Sequence, residues 1–90
     1  MEGDEVKERD YGYWGHPHER IVYKSKYFVI MKYPDSRGGH GYEVIPIDER
    51  GARLDDIEIC PEPKTFEKAL QMMRERHNWI VKYRKNRRKR

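Results

Sequence analysis

The chain predicts an α+β domain: a small three- to four-stranded, mostly antiparallel β-meander with one long C-terminal helix packed on one face. Three observations predict it. Short runs of β-branched and aromatic residues occupy the first part of the chain, and turns rich in Gly, Pro and Asp separate them. After Pro61 and Pro63 the apolar period lengthens from two residues to about 3.6.

Residues 20–24 and 26–33 form the first two expected strands. Alternation in the second sets Tyr27, Val29, Met31 and Tyr33 on one face and Phe28, Ile30 and Lys32 on the other. The segment 34–40 carries turn chemistry, and residues 41–47 return as a third strand. Pro46 cannot donate to a ladder, so that end belongs at an edge or a bulge. Asp48 to Gly51 reads as a turn with Gly51 free to take positive φ. A weaker fourth strand is expected over 53–59, where Ile57 and Ile59 share a face.

Thr65 suits the N-cap of the helix, with Glu67 in its first turn. At 100° per residue, Phe66, Ala69, Leu70, Met73, His77, Ile80 and Val81 form the core stripe. A second stripe, Met72, Arg76, Trp79 and Tyr83, lies off that face. It is either covered by the aromatic segment containing Tyr11, Tyr13 and Trp14 or presented as a contact surface.

The 90 residues divide into a flexible charged N-terminal arm (1–10), a single α+β domain (11–81) and a basic tail (82–90) that continues the helix. Charged residues make up 40% and hydrophobic ones 36%, so the core is thin and rests on 11 aromatics. The net charge of +4 conceals an asymmetry: the tail holds seven cations and no acid, which leaves −3 for residues 1–81. Cys60 is the only cysteine, so no internal disulfide forms. The start of the chain is acidic where a signal peptide is basic, and no apolar run approaches the ~20 residues of a membrane span. The expectation is a cytoplasmic protein with no membrane partner. Abundant Lys, Arg and Glu beside two Asn and one Gln hint at a thermophilic source.

The dense positive charge suits phosphates, which makes nucleic acid, DNA or RNA, the expected partner. Arg84, Lys85, Arg87, Arg88, Lys89 and Arg90 are the expected phosphate contacts, assisted by Arg76 and Arg37. Trp79 and Tyr83 are placed to stack on bases. The expected function is therefore that of a small accessory or regulatory nucleic-acid-binding protein. The alternative is a protein-interaction module or inhibitor, homodimeric through the Met72, Trp79 and Tyr83 stripe. In topology alone, the element order resembles the three-strands-then-helix DNA-binding modules; none of their Trp and Gly signature stands in register, and no residue carries over.

Other chemistry is weaker. The loop 37–41 lacks the Lys-Ser/Thr pair and the strand–loop–helix setting of a nucleotide-binding loop. His16, His18, His40, His77 and Cys60 lack the paired ligand spacing of a zinc site, so no metal is expected. Asp35, Glu43 and Asp48 have no spacing that sets them apart from surface acids, so neither enzyme activity nor a cofactor is expected.

Overall fold

A computed structural model of the chain describes residues 6–14, 16–34, 39–57, 59 and 62–88. Its elements are β1 (Tyr13–Trp14), β2 (His16–Lys24), β3 (Phe28–Pro34), β4 (His40–Pro46) and α1 (Phe66–Arg88). The strands form one antiparallel sheet in the order β1-β2-β3-β4, with the helix packed against it, so the α+β fold is as expected. β2, β3 and β4 carry the sheet; β1 is a two-residue extension at its edge.

Strand alternation sends residues to two apolar layers. Phe28 and Ile30 of β3 join Val22, Tyr42, Val44 and Ile59, and beneath α1 they meet Phe66, Ala69, Leu70 and Ile80. Ile21, Val29 and Ile47 cluster separately. The β2–β3 register slips between Ile21 and Tyr23. This bulge lets Val22 and the adjacent Tyr23 both reach the helix-side core, which strict alternation forbids. Fully burying a side chain such as Phe28 or Ile80 contributes about 1.5–3 kcal/mol.

β4 is an edge strand, and Pro46 closes it at the position opposite Phe28. The fourth strand expected over 53–59 does not form among the described residues. The chain makes an isolated bridge between Ile47 and Arg53 and turns at Asp55–Asp56. It still follows the open edge of β4, where Leu54 N–H donates to Pro46 O at 3.0 Å and Tyr42 N–H donates to Pro63 O at 3.1 Å. Among the described residues, two spaced hydrogen bonds rather than a ladder cover this edge.

The arm is tied down over its described part. Arg9 and Tyr11 N–H donate to Val22 and Ile21 carbonyls, and Gly12 O accepts from Ile21 N–H. The Glu8 carboxylate meets Lys32 Nζ at 3.3 Å and accepts from the Tyr42 hydroxyl at 3.1 Å; Asp10 pairs with Arg20. Gly12 has φ 98°, a backbone state that suits glycine at this crossing onto β1.

The helix begins as read: Thr65 Oγ1 accepts from Lys68 N–H at 3.1 Å and Glu67 sits in the first turn. It runs unbroken into the basic segment as far as Arg88. Of its expected core stripe, Phe66, Ala69, Leu70 and Ile80 are buried, and Met73 and Val81 are half-buried. His77 departs from expectation. It is exposed, with its ring edge-on to Tyr27 at 5.2 Å.

Candidate nucleic-acid interface

The charge of α1 is distributed unevenly along its length. Its acids are Glu67 and Glu75, and beyond Glu75 the chain contains no further acid. Arg76, Lys82, Lys85 and Arg87 are all exposed. Trp79 lies among them, 53% exposed, and Tyr11 and Tyr13 are exposed too. Its indole stacks on the Tyr83 ring, one turn further on, with centroids 5.7 Å apart and planes 17° from parallel. Tyr83 is half-buried, and its hydroxyl donates to the Asp56 carboxylate. The Arg87 guanidinium lies 5.8 Å from the Tyr83 ring centroid. Met72, grouped with these residues on sequence grounds, instead leans on the core.

Arg84 requires a correction. It was grouped with the outward cations, but it is 5% exposed and turned into the protein. Four residues beyond Ile80, it occupies the next position of the core stripe. Its Nε donates to Ile47 O at 2.9 Å, and its NH2 group donates to Ile47 O, to Lys26 O at 2.7 Å and to Asp48 O at 2.9 Å. The guanidinium also sits 4.3 Å from the Tyr27 ring centroid. A planar fork with five donors suits this cluster of carbonyls, and a lysine could not reproduce it. Arg84 therefore clasps α1 to the β2–β3 turn and to the end of β4, and it does not face an external ligand.

Arg37, Lys89 and Arg90 lie outside the described residues, as does the side chain of Arg88. Lys82, counted in the basic tail but not among the named phosphate contacts, is exposed and stands three residues from Trp79.

Away from the helix, an open cleft of about 450 Å³ is lined by His18, Glu19, Tyr33, Pro34, Glu43 and Glu62. Glu43 pairs with Arg53 at 2.9 Å, and Glu62 accepts from the Tyr33 hydroxyl, so these two acids serve the fold. Among the described residues no group of three or more His, Cys, Asp or Glu is arranged to hold a metal ion, and no helix is long and apolar enough to cross a membrane. No protein-family model matches the chain, and neither curated proteins nor solved structures yield a match.

Proposed function

We propose that the protein binds nucleic acid through the distal half of α1. The observation that carries this reading is the set of exposed cations, Arg76, Lys82, Lys85 and Arg87, on the stretch of α1 beyond its last acid, beside an exposed Trp79. Arg88, Lys89 and Arg90 extend the same charge to the end of the chain. Such a surface gains affinity by releasing counterions from phosphates, so binding weakens as salt rises.

The test is fluorescence anisotropy of labelled oligonucleotides across a salt series. Removing residues 82–90 would also remove the Arg84 clasp and confuse folding with binding. The informative variant changes Lys82, Lys85, Arg87, Arg88, Lys89 and Arg90 to Gln and keeps Arg84. With four to six charges engaged, wild-type log affinity falls against log salt with a slope of roughly −3 to −5, and the variant loses most of that slope. Salt-independent binding, or an unchanged slope in the six-Gln variant, overturns the reading.

A protein-interaction role is the second reading, favoured by the exposed indole of Trp79. It expects a dimer by light scattering that Trp79→Ala dissociates.

A further inference from the structure

Building on that reading, we infer that the ligand is single-stranded, with an unpaired base stacked on the outer face of Trp79. An indole offers one N–H donor and no acceptor, which makes it a poor reader of base edges in a groove. Its large π-face suits an exposed base, and duplexes keep their base faces inside the stack. Tyr83 already occupies one side of the Trp79 stack and is itself held by Asp56, so the platform is built before the ligand arrives.

The cations are placed for the strand that carries such a base. On a regular helix Arg76 and Lys82 sit three residues either side of Trp79, rotated roughly 60° to opposite flanks and about 9 Å apart along the axis. Phosphates on both sides of the stacked nucleotide therefore meet positive charge. Arg87, beside the Tyr83 ring, adds a further cation to that path. Polyanion charge complements this face, where a neutral apolar partner would leave its flanking cations unmatched.

The experiment compares labelled oligo(dT) of about 20 nucleotides with a mixed-sequence duplex of equal length, using wild type, Trp79→Ala and Trp79→Phe. Thermal melting verifies that both variants remain folded. Trp79→Ala weakens oligo(dT) binding about tenfold or more, changes duplex binding less than about twofold and leaves the salt slope intact. Trp79→Phe keeps a ring and loses less than half of that effect on a logarithmic scale. Equal losses on both ligands, or none on oligo(dT), overturn the single-strand assignment while salt-dependent wild-type binding still upholds the broader reading. If wild type binds neither oligonucleotide, both fall.

Discussion

Replacing Arg84 with methionine keeps the aliphatic bulk in place and removes the hydrogen bonds from Arg84 to Lys26, Ile47 and Asp48. The magnitude follows from the acceptors. Ile47 O receives two donors from the buried guanidinium, and stranding a buried carbonyl costs about 1–3 kcal/mol. The bonds to Lys26 O and Asp48 O are part-buried, where water substitutes more readily, so together they add about 1 kcal/mol. Loss of the Tyr27 contact adds about 0.5 kcal/mol. The buried cation's own desolvation cost is relieved in the variant and offsets part of this, leaving about 2–3 kcal/mol. For a domain of this size each kcal/mol moves the melting midpoint by about 4–8 °C, so Arg84→Met lowers Tm by about 8–24 °C. Circular dichroism melts at 222 nm measure it directly. Arg84→Lys retains the charge and recovers less than half of the loss, because an ammonium cannot span the carbonyls of Lys26, Ile47 and Asp48 together. An Arg84→Met midpoint within a few degrees of wild type would refute the clasp.

Further outcomes follow from other sites. Gly41→Ala places a methyl 2.6–2.7 Å from the Tyr33 ring, so the ring must swing away and its bond to Glu62 is strained; the cost is about 1 kcal/mol in urea unfolding, and Tyr33→Ala in the same chain removes most of that penalty. Gly51→Ala meets open space but a φ of 83°, so it costs about 1 kcal/mol through backbone strain alone, and equal stability in urea would exclude that strain. The Asp48 carboxyl is held below its ordinary 3.8 chiefly by the Ala52 N–H, and that of Asp10 chiefly by the Gly12 N–H, with Arg20 beside it. A depressed folded value means this stabilisation is full above pH about 4 and is lost as pH falls through the folded values. Melts from pH 7 to pH 2.5 should therefore show a shallower acid decline in the Asp10→Asn/Asp48→Asn variant than in wild type, and superimposable profiles would dismiss the two turns as its source.

The sheet and helix were legible where local periodicity and burial agree. Phe28, Ile30, Phe66, Ala69, Leu70 and Ile80 follow periods of two and 3.6, and the core uses them accordingly. The segment 53–59 misled because Ile57 and Ile59 share the spacing of a strand; Leu54 and Ile59 are indeed buried, but a turn at Asp55–Asp56 interrupts any ladder. Residues 8–10 look like part of a solvated charged arm until β2 and Lys32 are brought alongside, and those partners lie 10 or more residues away. Arg84 was hidden by its company. The 100° arithmetic puts it on the core stripe, yet inside a run of cations its charge argued for solvent. What makes burial tolerable is a set of carbonyls on distant turns, which no local pattern announces. Trp79 and Tyr83 were recognised as a pair apart from the core, whereas the tether from Tyr83 to Asp56 depends on the tertiary path of a loop.

The inward guanidinium near the end of α1 also decides how load travels. On the proposed reading, a polymer held by Lys85 and Arg87 would pull on a helix riveted near its far end to two turns, so the tension would pass into the body of the domain instead of bending a hinge. On the same reading, capture would reorient the whole body at once, and the angle between the indole platform and the Lys85 and Arg87 stretch of α1 is inherited from the fold rather than negotiated with each new strand.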